Sequence, residues 1–420
     1  MARSMGGKGH DDVRMRGFKD RVSLEEARRR IVQAVGPLGK PQSAPLREAL
    51  DRLLAKDIRA PRPVPAFDRA SMDGYAVEAA RTFSATAYDP VMLEVAGESL
   101  PAAPFDGRLS GARAVRIMTG APIPDGADAV VPAEFAEEAR GLVRVSGPVS
   151  PGRNVGRAGE DLREGDSVLE AGRMLRPQDL GILAAVGVET VPVVPRPRAA
   201  ILATGNEIVR PGARLGEFQV HDANTPMLGG LIDRWGGRVG PASLQPDEAP
   251  RLRRALGRAV SAAATDIVLV TGGSSVGAED LVPGLLAEAG RIVFHGVAVR
   301  PAGPVAFAIV YDKPVFALPG NPVSCLCAFD LLVGPCLRRL QGLPAIEPYR
   351  RVRLPLARRL SSVAGRADYA RVAVTENGLE PISVSGASVL STAVRADGWV
   401  LVPPDVEGHE EGEVVEVHLY

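Results

Sequence analysis

Three short stretches carry the residue types that chemistry needs. TGNE at 204–207, TGGSSVGAED at 271–280 and LPGNPVS at 318–324 each follow an aliphatic run, and each joins glycine to hydroxyl, amide or carboxylate side chains. Glycine lets the backbone come close to a ligand, and the N–H groups of such loops, or of the helix starts they lead into, suit an anion. Gly205, Gly272, Gly273 and Gly320 supply bare backbone. Asn321 stands where it caps a helix beginning at Pro322, and Ser324 follows in its first turn. Any one of these loops is explained by helix capping. Three that follow parallel strands share one rim of the sheet, where ligands of open α/β folds bind, and point to phosphate or another oxyanion. Glu207 and Asp280 add carboxylates beside that anion. This suits a bridging Mg²⁺ or a ligand with amino donors, although either acid alone is also what a helix N-terminus attracts.

Other motifs compete. Residues 273–277 match the G-x-S-x-G nucleophile elbow, which makes Ser275 a hydrolase candidate with Asp330 and His409 downstream. An elbow serine, however, sits on the turn directly after its strand, and Ser275 stands well past Val270. No GxGxxG occurs, and no lysine completes a GxxxxGK[ST] loop, so dinucleotide and P-loop sites are not indicated. Cys325, Cys327 and Cys336 fall on one predicted helix, a pattern of a reducing compartment, and the five histidines lack zinc spacing. The arginines of 350–371 alternate with apolar residues as on a solvated sheet face, with few stacking aromatics. Charge is balanced at 50 basic and 50 acidic residues, so no global field recruits nucleic acid or membrane. No apolar run approaches the ~20 residues of a membrane span, and residues 1–20 lack a signal-peptide core. A soluble, cytoplasmic protein is expected.

The elements that must position these loops follow from periodicity. At 420 residues, against a prior of roughly 150 per domain, about three domains are expected. Ser23 and Glu26 form a capping-box pattern that opens an amphipathic, Arg-rich helix through Ala34. A second helix is predicted over Pro45 to Lys56, then an extended connector PRPVPAFD. Residues 75–149 read as β-rich, 151–166 as turn-dense, and PQDLGILAAVG as a helix with Pro177 near its first position. Beyond VPVVPRPR, the strands AAILA, DIVLV and RIVFHGVAV alternate with helices at NTPMLGGLIDRWGG, DEAPRLRRALGRAVSAAA and EDLVPGLLAEAG. That alternation predicts a mostly parallel α/β layer sheet. VAFAIV and VFALP add a hairpin, and the last stretch is strand-like.

Taken in order along the chain, PVPAFDRASMDGYAV (63–77), RIMTGAPIPDGADAVV (116–131), GRNVGRAGEDLREGD (152–166), ATGNEIV, DANTPML, TGGSSVGAED, ALPGNPVS and the terminal LSTAVRADGWVLVP resemble the molybdopterin molybdenumtransferase family. This is the MoeA type, also found in the C-terminal domain of gephyrin. The resemblance runs from about Ser23 to the end. It implies a multidomain α/β plus β fold: a split N-terminal domain from 1–50 and 151–195, a β-rich domain over 51–150, a central molybdopterin-binding-like α/β layer over 196–345, and a C-terminal β-barrel over 346–420. It implies a homodimer that inserts molybdate into adenylylated molybdopterin with release of AMP, uses Mg²⁺, and works beside the upstream adenylyltransferase.

The resemblance also assigns roles that spacing does not. Glu207, Asp280 and Asp161 would hold Mg²⁺. Asp73 in SMDGYA and Thr119 in MTGAP would join Glu207 and Asp280 in catalysis, reaching the α/β site of the partner subunit. Asp222, Ser275, Ser324, Asn321 and the four loop glycines would contact pterin and pyrophosphate. Arg300, Arg366 (with Arg371 nearby) and Ser391 or Ser388 would serve the oxyanion. One segment departs from the family. Where it reads close to KxxxKPGKP, this chain has GVAVRPAGP, with Gly296, Arg300 and Gly303 at the lysine positions. Arg300 keeps the charge; the glycines do not. Two charge-assisted hydrogen bonds lost at ~1.5–3 kcal/mol each would weaken anion capture about a hundredfold or more. The alternative expectation is therefore a family member with altered chemistry that binds pterin or acts as an assembly scaffold. Intact carboxylates and glycine loops speak against it.

Overall fold

The computed structural model describes residues 21–273, 281–383 and 388–420. The chain divides into two compact units, 1–40 with 194–420, and 41–193. In the first, a six-stranded sheet runs in the order Arg238–Gln245, Arg198–Thr204, Ile267–Thr271, Lys313–Leu318, Ala306–Val310, Arg291–His295. The first four strands are parallel, and the hairpin 306–318 turns the sheet antiparallel at its far side. Side chains alternate between two buried layers, as the two-residue repeat of a strand dictates. Ile201 and Leu269 pack with the helices Leu24–Ala34 and Asn224–Arg234. Leu202, Val268 and Val270 pack with Ala249–Ser261 and Leu281–Ala289. This is the predicted layer architecture, with one strand added. Residues 238–245 form an exposed edge whose Gly240 and Pro241 hide it from any apolar pattern.

The same unit carries a small barrel. Strands Gly378–Ser383, Ala367–Thr375, Gly398–Val402, Val414–Leu419 and Arg350–Pro355 pair in that order, and a bridge between Leu356 and Leu379 closes the ring. Val299–Arg300, beyond the last strand of the layer sheet, pairs with Ala367–Asp368 and ties the barrel to it.

The helix Leu24–Ala34 begins and ends where its cap and apolar stripe place it, with Ser23 Oγ accepting from Glu26 N–H at 3.1 Å. Its grouping differs from expectation. Leu24, Ala27 and Ile31 are buried in the α/β layer, so residues 21–40 belong to that unit and not with 151–195. A second correction concerns 45–56, which is no helix. Gln42–Pro45 pairs as a strand with Thr190–Val193, a single 3-10 turn covers Leu46–Glu48, and Asp51 has φ +56°. The adjacent Leu53 and Leu54 are both buried as bridges to Met174 and Val193, a use of neighbouring apolar residues that no helical stripe allows.

In the second unit a six-stranded sheet runs Ala129–Pro132, Gly74–Val77, Arg113–Ile117, Val91–Ser99, Leu142–Val145, Ala136–Ala139. It buries Leu93, Ala114 and Val143 on one side and Ala76, Val115 and Val130 on the other. A smaller body forms around the helix Pro177–Ala185, which has Pro177 at its first position as predicted.

Candidate functional site

Parallel register pairs Gln245 with Thr204, Thr271 with Ala203 and Leu318 with Thr271, so the strands end within one residue of each other and the loops that follow leave from one rim. They interlock there. Gly272 has φ +97°, and a Cβ on it would lie 2.1 Å from Thr204 O, so only glycine fits between the first two loops. Gly320 approaches Gly272 closely enough that its own Cβ would meet Gly272 Cα at 3.5 Å. Asn224 joins the second loop to the third: its Nδ2 donates to Thr271 Oγ1 and to Gly320 O, each at 2.7 Å. Its Oδ1 is buried without a hydrogen-bond partner, an acceptor left over beside the glycines. Asp222 caps the helix that carries Asn224, accepting from Thr225 N–H at 3.0 Å. Ser324 is buried in the helix Pro322–Ala328, which Asn321 precedes in extended conformation without a side-chain cap bond.

Glu207 is exposed on the first loop, its Oε2 turned back toward Gly205. Against Thr204 and Asn206 of the same loop lies a carboxylate that sequence reasoning missed. Asp247, after the edge strand, accepts from Thr204 Oγ1 at 2.5 Å and donates its N–H to Asn206 Oδ1 at 3.2 Å. Its signal was masked because QPDEAP reads simply as a helix start. Asn224 was also missed, although DANTPML contains it. Ser275 and Asp280 lie outside the described residues. Among the described residues no three His, Cys, Asp or Glu side chains gather as a metal site. The rim donors Glu207, Asp247 and the Thr204 hydroxyl are all oxygens, and this fits Mg²⁺, which proteins hold through one or two carboxylates while phosphate and water complete its shell.

In the second unit the motif loops 63–77, 116–131 and 152–166 knit into one surface. Ala70 N–H donates to Ala121 O, Ser71 N–H to Asn154 O and Ile123 N–H to Asp68 O. Asp68 also accepts from Ala158 N–H at 2.8 Å and Arg157 Nη1 at 2.6 Å. This framework brings the two predicted residues together: Thr119 donates both its N–H and its Oγ1–H to Asp73 Oδ1, each at 2.7 Å. These bonds favour the ionised form, first the backbone one and then the hydroxyl, and hold the Asp73 carboxyl below its usual range. Asp161 is exposed on the same surface, its N–H bonded to Val64 O.

The third group lies where Val299–Arg300 meets the barrel. Arg300 Nη2 donates to Asp368 Oδ2, which also accepts from Ser362 Oγ at 2.6 Å, and Arg366 Nε stands 3.8 Å from Asp368 Oδ1. Arg300 and Arg366 thus both face one carboxylate, which the sequence did not single out. Gly296, at a lysine position, has φ +91° and is held by hydrogen bonds to Val305 and Val22. Ser388 lies in the turn before the short helix Leu390–Val394, and Ser391 in the helix; both are exposed.

The partners needed for a Ser275 hydrolase are committed elsewhere. Asp330 is fully buried under Tyr349, Tyr369 and Trp235, and His409 Nδ1 lies 2.7 Å from Glu413 Oε1. The three cysteines are buried and free, and burial raises each thiol pKa above its usual range, so none is poised as a nucleophile. No helix among the described residues is long and apolar enough to cross a membrane.

Known proteins resemble this chain over most of its length. The family model for the MoeA N-terminal region (domain I and II) matches residues 22–187, that for a probable molybdopterin binding domain matches 200–339, and that for the MoeA C-terminal region (domain IV) matches 353–420. A putative molybdopterin biosynthesis protein of Methanocaldococcus jannaschii is 36% identical over 89% of this chain and 90% of its own. A molybdopterin molybdenumtransferase of Haemophilus influenzae is 32% identical over 95% and 98%. The crystal structure of a molybdopterin biosynthesis MoeA protein from Pyrococcus horikoshii superposes with a TM-score of 0.82 at 34% identity, covering 95% of this chain and 99% of that one.

Proposed function

Because this chain belongs to the MoeA family of molybdopterin molybdenumtransferases, we propose that it inserts molybdate into adenylylated molybdopterin and releases AMP. The observation that carries the reading is the interlocked rim of Thr204, Gly272 and Gly320, pinned by Asn224, with the Glu207 and Asp247 carboxylates beside it. Glycine backbone at such a rim admits a pyrophosphate closely, and the unpartnered Asn224 Oδ1 offers an acceptor to the amino groups of a pterin.

Each group has a task in that chemistry. Glu207, with Asp247 at hand, would hold Mg²⁺, and Asp280 is the remaining expected ligand; when bound, the ion would supply positive charge to offset that on a departing phosphate. Asp73 is ionised throughout the neutral range and supplies a fixed carboxylate, with Thr119 orienting it. Arg300 and Arg366 receive the molybdate, and Ser391 or Ser388 is the C-terminal serine expected to complete its site. The working assembly is a homodimer in the cytoplasm, supplied by an adenylyltransferase.

The experiment is AMP release from adenylylated molybdopterin by purified protein, with Mg²⁺ present and molybdate titrated. Molybdate-dependent release supports the transferase. Ligand binding without release at any molybdate concentration turns the reading to a pterin-binding scaffold.

A further inference from the structure

Among the described residues Asp368 is the carboxylate that Arg300 and Arg366 share, and it is fully buried. It takes Arg300 and Ser362 on Oδ2 and faces Arg366 with Oδ1 at 3.8 Å, beyond hydrogen-bonding distance. Two guanidinium groups therefore share one negative charge. The polar bookkeeping is also incomplete: Arg300 Nε, Arg366 Nε and Asp368 Oδ1 are all buried without a hydrogen-bond partner. Buried donors left open cost free energy unless something satisfies them. Both arginines remain partly exposed, at 25% and 33% of their side chains, so the cluster is open to solvent on the guanidinium side and closed on the carboxylate side.

We infer that Asp368 is a positioning residue. It holds Arg300 and Arg366 side by side as a single fork with one net positive charge, shaped to take a tetrahedral oxyanion, and Ser362 fixes the carboxylate that does this. The assignment rests on the transferase reading only for the identity of the anion. It goes beyond that reading because it names the group that sets the two guanidinium groups side by side. A lone Arg300 on the strand Val299–Arg300 has many rotamers, whereas a guanidinium clamped from behind presents its remaining N–H groups in one direction.

Charge and position make opposite predictions here. If Asp368 only neutralises, Asp368→Asn removes a negative charge next to the anion and tightens its binding. If Asp368 positions, the amide turns a donor toward one arginine, the fork opens and binding weakens. The measurement is calorimetric binding of molybdate to the full-length protein, with the thermal midpoint followed in parallel. We expect Asp368→Asn to weaken molybdate binding about tenfold or more, the scale of one charge-assisted hydrogen bond. Asp368→Glu should recover most of that loss. Ser362→Ala, a milder change that keeps the buried carboxylate, should weaken binding in the same direction by a smaller factor, and it carries the test if Asp368→Asn does not fold.

Unchanged or tighter binding in a folded Asp368→Asn or Ser362→Ala protein overturns the proposal. So does a wild-type protein that binds no molybdate at millimolar concentration. Asp368-dependent binding by a protein that releases no AMP would sink the transferase reading and leave the positioning role standing.

Discussion

Asp73 shows how much a single side chain can be read for. Its carboxyl is depressed by two hydrogen bonds to its ionised form, and one of them, from Thr119 Oγ1, is removable without touching the backbone. A depressed carboxyl is ionised above its pKa and loses its function as pH falls through it. Thr119→Val should therefore move the acid limb of the kcat profile for AMP release to higher pH, leaving the alkaline limb in place; an unmoved acid limb would disconnect Asp73 from the rate. The two glycines at lysine positions separate in the same way. A Cβ on Gly303 meets nothing nearer than 3.5 Å, while Gly296 has a left-handed φ of +91°. Gly303→Lys should lower the half-saturating molybdate concentration about tenfold with an unchanged unfolding midpoint. Gly296→Lys should cost about 1–3 kcal/mol of stability by chemical denaturation. Asp73 and Thr119 could be found only through the resemblance of their loops, because the hydrogen bonds that pair them span residues far apart in the chain. Asp368 and Asp247 had no such flag: one sits at the start of a strand and the other just before a helix.

At the level of elements, Asp330 joins the α/β layer to the barrel. It accepts from Trp235 Nε1 of the layer and from the hydroxyls of Tyr349 and Tyr369 in the barrel segment, and Tyr369 in turn meets Tyr420 at 2.8 Å. Burial outweighs these bonds and pushes its carboxyl from 3.8 up to about 6. The sign follows: a carboxyl raised on folding contributes stability below its unfolded pKa and loses it as pH rises through the folded value. The unfolding free energy of wild type minus that of Asp330→Asn should fall by about 2 kcal/mol between roughly pH 4 and pH 7. A difference that stays flat with pH would contradict this account of the joint. Elements with strong local signals were legible in the sequence, among them the capped helix Leu24–Ala34, the buried strand Ile267–Thr271 and the hairpin 306–318. Elements defined by pairing were not. The edge strand 238–245 carries too little apolar surface, and the segment after Pro45 is held out of a helix by the bridges of Leu53 to Met174 and Leu54 to Val193.

For the whole molecule, the order of motifs indicated more than their individual chemistry. Each glycine loop has a capping explanation, and only the fold shows that three of them interlock on one rim while the 63–77, 116–131 and 152–166 loops form a second surface. What the chain does with a partner subunit is a question for light scattering over a dilution series, where a homodimer is expected. The central claim is chemical, and AMP release from adenylylated molybdopterin, measured with Mg²⁺ across a molybdate titration, tests it most directly. The account predicts release that rises with molybdate and saturates, carried by Arg300 and Arg366 in the absence of the two lysines. Tight binding of the adenylylated pterin with no AMP released at any molybdate concentration would contradict it.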